Sequence, residues 1–343
     1  MNPVARYSGY AAGGAALVVA GRFLWGRNRY NLRGKAAVIT GGSRGLGLAL
    51  ARCLAAEGCR IAICARNEDE LERAARDLRT RAADVMTQRC DVANKEQVEQ
   101  FIAAVQDRFG SVDLLVNNAG VIQVGPVDAL THEDFQSAMD IMFWGVVHPT
   151  LAALPHMLAR GSGHVVNITS IGGKIAVPHL LPYSCAKFAA VGFSEGLRTE
   201  VKSRGVEVLT VAPGLMRTGS YVNALFKGRD TEEAAWFSVS ASAPLVSMSA
   251  DRAARKIVAS IRRGDAERIL SPQASIAARM HGLFPGLTTE ALALVNRLLP
   301  GPSANRTQRR GAEIPSVHSG PLWYLTALGR SSGKRMNQPV PAK

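Results

Sequence analysis

Short apolar segments alternate with helical segments from about residue 35 to residue 270. The helical segments, such as residues 68–81 and 95–109, carry apolar residues three and four positions apart, whereas the short segments are rich in Val, Ile and Ala. This alternation is typical of α/β proteins with a doubly wound parallel sheet, whose ligand site lies at the carboxyl ends of the strands. The predicted strands are residues 36–40, 60–64, 87–90, 114–117, 164–168, 207–211 and 268–270.

The two ends of the chain hold most of its net charge of +14. Residues 1–35 contain six basic and no acidic residues, and residues 301–343 contain seven basic residues and one acidic residue. Residues 36–300 are therefore nearly neutral, which argues against binding of nucleic acid by this region. The chain has 343 residues, of which 47% are hydrophobic, so it can form one large domain with extensions at both ends.

Residues 7–21 form an uncharged segment with basic residues on both sides. The segment is short and rich in Gly and Ala, whereas a bilayer span needs about 20 apolar residues. Three interpretations of residues 1–33 stay open: a membrane anchor or surface helix, a soluble arm, and a cleaved signal peptide. If the segment is an anchor, the basic residues from Arg22 to Lys35 keep the catalytic part in the cytoplasm.

The five cysteines and seven histidines show no metal-binding spacing. The cysteines are odd in number and form no CxxC pair, which is typical of reduced thiols in a cytosolic protein. No HxxxH or HExxH pair occurs among the histidines. We therefore predict that the protein holds no metal ion.

A glycine-rich turn, TGGSRGLG, joins the first predicted strand to the first predicted helix. Glycine lets the backbone turn tightly and approach a ligand, and the helix N-terminus offers free amide groups and the positive end of its dipole. The turn predicts a diphosphate site, although a plain strand-to-helix turn would also account for it. The candidate cofactor-binding residues here are Thr40, Gly41, Ser43, Arg44, Gly45 and Gly47.

The residues after the second strand indicate which nicotinamide cofactor is bound. NAD-binding proteins usually carry an acidic residue there for the ribose hydroxyls, but this chain has Ala65 and Arg66. Arg66 and Arg44 would place two guanidinium groups beside a 2′-phosphate, so we predict NADP(H) rather than NAD(H). Asp91, after the third strand, is a candidate acceptor for the adenine amino group. The expected floor of the cofactor site is Asn118, Ala119 and Gly120.

A strand leads to Ser170 and then, through a Gly/Pro loop, into a helix that carries Tyr183 and Lys187. A separation of four residues places Tyr183 and Lys187 on one helix face, so the ammonium group can lie near the phenol. A nearby cation favours the ionised form of a phenol, whose pKa is otherwise about 10. We interpret Tyr183 as a candidate acid/base and Ser170 as a hydroxyl that binds the same substrate oxygen, although the spacing alone also arises by chance.

The glycine-rich turn, the NNAG segment at 117–120, Ser170, the Tyr183–Lys187 pair and Pro213-Gly214 together resemble the short-chain dehydrogenase/reductase family. The resemblance covers roughly residues 34–270 and implies a single-domain Rossmann fold that interconverts ketones and secondary alcohols.

By the same resemblance, Tyr183 exchanges a proton with the substrate oxygen, Ser170 positions the carbonyl, and Lys187 holds the nicotinamide ribose. The segment that includes Pro213, Gly214 and Thr218 would contact the nicotinamide carboxamide. The family likeness also implies a homodimer or a tetramer, of which we predict the homodimer.

Met142 departs from the family's pattern. The family usually has an asparagine three residues before the glycine of its central helix, where it bends the helix and anchors a water that relays protons to the lysine. A thioether cannot donate a hydrogen bond to such a water. Pro149 lacks an amide donor and is expected to interrupt the same helix. Either protons reach Lys187 by another route, or the protein is a cofactor-binding or scaffold protein with weak turnover.

Apolar residues follow Ser170 and Thr218 at positions that would line and cover a substrate pocket. An apolar lid favours a lipophilic ketone or alcohol over a sugar. Packing of these side chains onto the protein's own core is the alternative. The candidate substrate-contacting residues are Val177, Leu180, Tyr221 and Phe226.

Residues 271–343 extend beyond the part that resembles the family. Apolar stretches at 276–283 and 291–299 predict helices that lie against the core or on a lipid surface. The Pro, Gly, Ser and Arg-rich end is expected to be flexible. The basic ends favour peripheral attachment to the cytoplasmic face of an anionic membrane, with solvated, disordered ends as the alternative.

Overall fold

A seven-stranded parallel sheet forms the centre of the computed structural model, which describes residues 30–81, 84–244, 246–315 and 320–338. In spatial order the strands are β3 (Val85–Arg89), β2 (Arg60–Ala65), β1 (Ala36–Thr40), β4 (Leu114–Asn117), β6 (Gly163–Ile168), β7 (Val206–Ala212) and β11 (Glu267–Ile269). Each neighbouring pair is parallel. The predicted α/β, doubly wound Rossmann fold is confirmed, whereas the N-terminal segment 7–21 lies outside the described residues.

The direction of winding reverses between β1 and β4. From β1 the chain runs outward through β2 to β3, then crosses to β4 and continues outward on the other side to β11. In open α/β sheets, this reversal leaves a crevice at the carboxyl ends of the two strands, where ligands bind. The glycine-rich turn follows β1 and Asn118 follows β4, so both lie at this crevice.

Helices cover both faces of the sheet. On one face lie α1 (Gly45–Ala56), α2 (Glu68–Arg79) and α8 (Ala250–Arg263), and on the other lie α3 (Lys95–Phe109), α5 (Gly145–Ala159) and α6 (Leu181–Val201). Two further helices, α4 (His132–Met139) and α7 (Asp230–Ser242), lie beside the crevice end of the domain. All five residues of β1 are buried, as expected for a strand covered on both faces.

The helix predicted over residues 95–109 has those bounds in the structure. The side chain of Asn94 accepts a hydrogen bond from the Gln97 amide at its start, and Gly110 ends it with a left-handed φ of 73°. The third strand was harder to predict, because it begins two residues earlier than the local pattern indicates. It begins at Val85, which pairs with Ile61 of β2, and such pairing is not visible in a local pattern.

A π-helical turn, Asp140–Trp144, joins α4 to α5. The sequence predicts an interruption at Pro149, but α5 continues through both Pro149 and Pro155. The predicted position of the helix interruption was therefore wrong, because the irregular turn lies just before α5. Pro149 has no amide proton to donate to the Gly145 carbonyl, and this carbonyl lies directly after the irregular turn. Among the described residues, one helical run, His132–Ala159, is long enough and apolar enough to cross a membrane. However, 44% of its most apolar stretch is buried inside the protein.

The C-terminal extension begins with two helices, α9 (Pro272–Leu283) and α10 (Pro285–Asn296), and then folds back over the domain. The returning elements are β12 (Arg309–Arg310), α11 (Gly320–Leu325) and α12 (Ala327–Arg335). Strand β12 pairs with β9 (Leu225–Phe226), which also pairs with β5 (Gln123–Val124), while α12 packs against α7 and β8 (Met216–Arg217). Strand β8 in turn pairs with β10 (Met248–Ser249).

The structure differs here from the expected flexible end. Ile314 is fully buried, and the Arg309 guanidinium lies 3.2 Å from the Asp230 carboxylate. Both contacts join residues distant in sequence, and a Pro/Gly/Ser-rich composition does not reveal them. The described part of the basic end is therefore held to the domain by a buried apolar side chain and by ion pairs.

Candidate active site

A cleft of about 720 Å³ opens at the carboxyl ends of the central strands. Of the residues predicted from the sequence, it is lined by Gly41, Ser43, Arg44, Gly45, Arg66, Asp91, Asn118, Ala119, Gly120, Tyr183, Lys187 and Thr218. The other predicted cofactor and catalytic residues do not line it. Thr40, Gly47 and Ser170 contact residues that do, whereas Pro213 and Gly214 contact Ile171 and Ser271 behind the lining. The fold thus brings the predicted set together around one cavity.

Thr40 and Gly47 hold the glycine-rich turn against the end of β4. Thr40 Oγ1 accepts hydrogen bonds from the amides of Asn118 at 3.0 Å and Ala119 at 3.2 Å. In return, Asn118 Nδ2 donates to the carbonyl oxygens of Thr40 and Gly41, both at 3.1 Å. A Cβ atom on Gly47 would lie 2.2 Å from the Gly41 oxygen, so this position has no room for a side chain.

Pro213 and Gly214 support the neighbours of the catalytic residues. The Ile171 amide, next to Ser170, donates to the Pro213 carbonyl at 2.8 Å. Gly214 lies close to the start of α9, where a Cβ atom would come within 3.0 Å of Ser271 Oγ. In this segment the side chain that lines the cleft is that of Thr218.

Charged residues crowd the end of the cleft beyond β2. Arg44 Nη1 lies 2.6 Å from Glu70 Oε1, and Ser43 Oγ donates to the other oxygen of the same carboxylate at 3.2 Å. The Arg66 side chain is 62% exposed, and its guanidinium lies 3.8 Å from Asp91. Arg44 is thus held in place by a carboxylate, whereas most of Arg66 is open to solvent.

Several cleft-lining residues escaped the sequence analysis, and those that matter most at the charged end are Glu70, Arg73, Arg310 and Gln338. Glu70 and Arg73 lie on α2, where charged residues ordinarily face solvent, so the pattern gives no reason to single them out. Arg310 and Gln338 belong to the C-terminal extension. Only its return across the domain brings them to the cleft.

Ser170, Tyr183 and Lys187 meet at the other end of the cleft. Ser170 Oγ accepts the Gly172 amide at 3.0 Å and forms a hydrogen bond with the Tyr183 side chain. A Cβ atom on Gly172 would lie 3.1 Å from Tyr183 Cε1, so glycine lets the ring pack closely against the loop. Lys187 Nζ donates to the Ile168 carbonyl at 2.9 Å and lies 5.9 Å from the centre of the Tyr183 ring.

Burial governs the protonation of the Tyr183 and Lys187 side chains. It raises the pKa of the Tyr183 phenol, and the hydrogen bond with Ser170 offsets part of that rise. Burial also lowers the pKa of the Lys187 ammonium group to about 8. At neutral pH, Tyr183 therefore keeps its proton and Lys187 is mostly charged, so the site has an acid next to a cation.

Met142 lies in the π-helical turn and is fully buried near Lys187. A Cβ atom on Gly120 would lie 3.9 Å from both the Met142 sulfur and Lys187 Nζ, so the thioether and the ammonium group border the same small space. The sulfur is at best a weak acceptor and has no proton to donate. The side of Lys187 that faces Met142 is therefore apolar.

The candidate substrate residues do not line the cleft. Leu180, Tyr221 and Phe226 are buried in a small apolar cluster with the partly buried Val177. Strand geometry explains one displacement, because neighbouring residues of a strand point to opposite sides: Leu225 lines the cleft, so Phe226 faces the core. Apolar residues that do line the cleft include Val121, Ile122, Ile141, Ile168, Met216 and Leu225.

The glycine-rich turn, NNAG, the Ser170–Tyr183–Lys187 set and the strand order all have counterparts in one protein family. A profile of the short chain dehydrogenases matches residues 35–225, which is more than half of the chain. The chain belongs to the short-chain dehydrogenase family. That match lies within the region 34–270 for which the sequence predicts this family.

Two curated short-chain dehydrogenase relatives illustrate the similarity. SadH of Mycobacterium tuberculosis, provisionally described as an oxidoreductase, is 38% identical over 257 residues, which is 74% of this chain and 92% of SadH. A protein of Streptomyces coelicolor, provisionally described as a ketoacyl reductase, is 39% identical over 184 residues, or 53% of this chain and 70% of the relative. This chain is therefore an oxidoreductase of the class that acts on alcohols and carbonyls.

Solved structures of the family contain either nicotinamide cofactor. L-sorbose reductase of Gluconobacter frateurii, solved with NADPH and L-sorbose, is 28% identical with a TM-score of 0.62 and covers 70% of this chain and 95% of its own. A short-chain dehydrogenase of Burkholderia phymatum, solved with NAD, is 26% identical with a TM-score of 0.69 and covers 75% of this chain and 96% of its own. A nicotinamide dinucleotide is thus the family's cofactor.

Proposed function

We propose that this protein is an NADP(H)-dependent oxidoreductase that interconverts a lipophilic ketone and a secondary alcohol, with Tyr183 as the acid/base. One observation carries the proposal: Ser170, Tyr183 and Lys187 meet at one end of a cleft whose other end carries Arg44 and Arg66. A cleft of this form suits a reacting carbonyl beside the phenol and a phosphorylated adenosine beside the arginines.

The residues around Tyr183 suit the protonation of a carbonyl oxygen. In reduction, the buried Tyr183 hydroxyl donates its proton to that oxygen, while NADPH, when bound, supplies the hydride. Ser170 Oγ accepts the Gly172 amide at 3.0 Å, and its own proton can turn from the Tyr183 phenol to the substrate oxygen. The Lys187 ammonium group stabilises the phenolate that forms and holds the nicotinamide ribose. We favour reduction, because cells keep most of their NADPH in the reduced form.

The residues around the glycine-rich turn fit a dinucleotide. The missing side chain at Gly47 keeps the turn tight. The N-terminus of α1 offers a diphosphate the positive end of its dipole and its first-turn amides other than that of Gly45, which donates to the Met336 carbonyl. Arg44, Arg66 and Arg73 line the adenosine end and suit a 2′-phosphate. In this proposal Thr218 contacts the nicotinamide side and Asp91 the adenine, since both line the cleft. Because family structures contain NADPH or NAD, the choice of NADP(H) depends on these arginines.

The lipophilic substrate is proposed from the apolar wall of the cleft rather than from the residues that the sequence indicated. Ile141, Met216 and Leu225 line it together with the catalytic Tyr183. A wall of this kind gains free energy by covering hydrocarbon and offers few partners to the hydroxyls of a sugar.

A second candidate function is a cofactor-binding or scaffold protein with little turnover. Met142 favours it, because the thioether beside Lys187 offers no group that could pass a proton to the ammonium. The two functions share the cofactor site and differ in the rate of proton supply.

One assay separates the two functions. Purified protein is mixed with NADPH and a panel of lipophilic ketones, and loss of NADPH absorbance is compared between wild type and Tyr183→Phe. We expect turnover that the variant abolishes while it still binds NADPH. Tight NADPH binding without turnover in wild type would favour the scaffold function, and a lower KM for NADH than for NADPH would contradict the proposed cofactor.

We also propose a homodimer through the face formed by α5 and α6. Large apolar side chains on this face are exposed: Trp144, Leu151, Leu181 and Phe188. Helical faces of this composition gain by packing on a second copy. Light scattering should give the mass of a dimer for wild type, and Leu151→Glu should give a monomer. A monomeric wild type would end this proposal.

The membrane association is proposed to occur through α9 and α10. Helix α10 contains no buried residue, although it is largely apolar. Exposed large apolar side chains on the two helices and their connection are Ile276, Met280, Leu283, Phe284, Leu287, Leu294 and Val295, followed by Leu298. Each helix has 12 residues, about 18 Å, and is too short for a bilayer core of about 30 Å. They are therefore suited to lie in the interface of a cytoplasmic membrane face.

Binding to lipid vesicles tests this surface. Leu287→Glu is compared with Val127→Glu, because both side chains are 66% exposed and Val127 belongs to neither α9 nor α10. We expect wild type and Val127→Glu to sediment with phosphatidylglycerol vesicles and Leu287→Glu to remain in solution. Partial release by salt would indicate that the basic ends contribute. A Leu287→Glu variant that instead changes the oligomeric mass would contradict the membrane proposal.

A further inference from the structure

Residues 335–338, at the C-terminal end of α12, contact the glycine-rich turn and the helix that follows it. The Gly45 amide, the first of α1, donates to the Met336 carbonyl at 2.9 Å. Arg52, on the same helix, donates to the Arg335 carbonyl at 2.9 Å. The end of the extension is therefore bonded directly to the predicted diphosphate-binding turn.

Asn337 connects three parts of the adenosine end. Its Nδ2 donates to the carbonyl oxygens of Ser43 at 2.8 Å and Glu70 at 2.9 Å, and its Oδ1 accepts from Arg73 Nε at 2.9 Å. The backbone of Asn337 has a φ of 57°, a left-handed conformation that Asn tolerates better than most residues. One amide side chain thus fixes the turn, the start of α2 and a cleft-lining guanidinium.

One of these partners, Glu70, also holds Arg44. The Glu70 carboxylate bonds to Arg44 at 2.6 Å and to the Ser43 hydroxyl at 3.2 Å. Without Asn337, the backbones of Ser43 and Glu70 lose their common donor and Arg73 loses its acceptor. The guanidinium groups of Arg44 and Arg73 then become less well positioned for a phosphate.

Gln338 reaches the cleft itself. Its Nε2 lies 3.3 Å from the position of a Cβ atom on Gly45, which is also near Thr218, and its Oε1 accepts from Asn223 Nδ2 at 2.7 Å. The side chain therefore stands between the glycine-rich turn and the segment placed for the nicotinamide side. Its amide group can bond to an anion that bridges these two places.

The segment is held rigidly enough to act in this way. Met336 is 2% exposed and joins the apolar core on the α1 and α8 face. Gly333 packs so closely on Gly219 that a Cβ on the latter would lie 2.5 Å from the Gly333 Cα. Side chains that are already fixed lose little entropy when a ligand binds.

We propose that Asn337 and Gln338 complete the NADP(H) site, with Asn337 as a positioning residue for the 2′-phosphate and Gln338 as a direct ligand of the diphosphate. The inference rests on the proposed cofactor. It assigns to the C-terminal extension a role in the choice between NADPH and NADH. It also predicts different effects for the two residues, because only NADPH carries the 2′-phosphate, whereas both cofactors carry the diphosphate.

The test measures dissociation constants of NADPH and NADH by fluorescence titration. Asn337→Gly removes the side-chain amide and keeps the left-handed backbone without strain. We expect this variant to weaken NADPH binding about 3- to 10-fold, as for lost hydrogen bonds, and NADH binding less than about 2-fold. Gln338→Ala should weaken both cofactors by the same factor. The matched control is Asn305→Ala, which removes an amide that bonds to the Gly228 carbonyl at 3.3 Å outside the cleft lining.

The outcomes separate this inference from the proposed function. Wild type that binds neither cofactor, or prefers NADH, contradicts the proposed cofactor. If wild type prefers NADPH, an Asn337→Gly variant that loses both cofactors equally, or neither, overturns the positioning role. Melting temperatures identify a variant that has merely lost stability. If Asn337→Gly is such a variant, Asn337→Asp takes its place, because it keeps the acceptor for Arg73 but removes the donor. Asn337→Asp must then lower the affinity for NADPH more than the affinity for NADH.

Discussion

Replacing Lys187 with methionine should stabilise the folded protein at neutral pH while it abolishes turnover. The Lys187 side chain is 4% exposed, and burial lowers the pKa of its ammonium group to about 8. In an unfolded chain the pKa of lysine is about 10.4. At pH 7 the folded state therefore binds this proton less favourably than the unfolded state, by about 3 kcal/mol. Methionine fills a similar volume and carries no charge.

The sign of the pH dependence follows from which state binds more protons. Below pH 8 both states carry the proton on Lys187, so the full destabilisation is present. Between about pH 8 and pH 10.4 mainly the unfolded state carries it, so wild-type stability rises with pH. The variant has no such proton. Its advantage over wild type should shrink by about 2 kcal/mol between pH 7 and pH 10.

Urea denaturation at pH 7 and pH 10 measures this difference. Altered packing and the lost hydrogen bond to Ile168 add an amount that does not depend on pH, so the change in the difference isolates the charge. Both proteins are also measured with Tyr183→Phe, because the phenol titrates at about pH 10 in the unfolded chain while burial raises its pKa in the folded state, so it adds its own pH dependence. A stability difference that is the same at both pH values would refute the assigned burial of a charged Lys187.

The remaining predictions concern rate, cofactor and local packing. Met142→Asn places an amide beside Lys187 and should raise turnover at least about tenfold if proton supply limits it, with Met142→Leu as the control; no change would show that the relay is bypassed. Arg66→Ala should raise the KM of NADPH about fivefold and leave that of NADH unchanged; equal effects would count against a 2′-phosphate contact. Gly47→Ala should abolish cofactor binding, because the new Cβ would lie 2.2 Å from the Gly41 oxygen. The Gly196→Ala variant should bind the cofactor normally, because its new Cβ would meet no neighbouring atom within 4 Å.

The sheet and the candidate catalytic residues could be predicted because their signals are local. Apolar runs between amphipathic segments identify buried parallel strands, and the helix over residues 95–109 carries its own start and end signals in Asn94 and Gly110. The Tyr183–Lys187 spacing is likewise a property of any helix. The family resemblance then relates these residues to one chemistry.

The walls of the cleft could not be predicted in the same way. Whether Leu225 or Phe226 faces the cleft depends on strand register, and both have the same hydrophobic character. The Glu70 carboxylate lies 2.6 Å from the guanidinium group of Arg44, which is 26 positions away in the sequence. Composition alone predicts a solvated side chain in such cases.

Periodicity and turn residues were enough to predict the α/β class, the approximate positions of the strands and Tyr183 as the candidate acid/base, because each depends on neighbours within a few residues. Tertiary structure alone decided that Lys187 is buried against Met142, and that Asn337 and Gln338 return to the glycine-rich turn. These contacts join segments up to 294 residues apart. Their formation depends on how the whole chain packs, which no local pattern encodes.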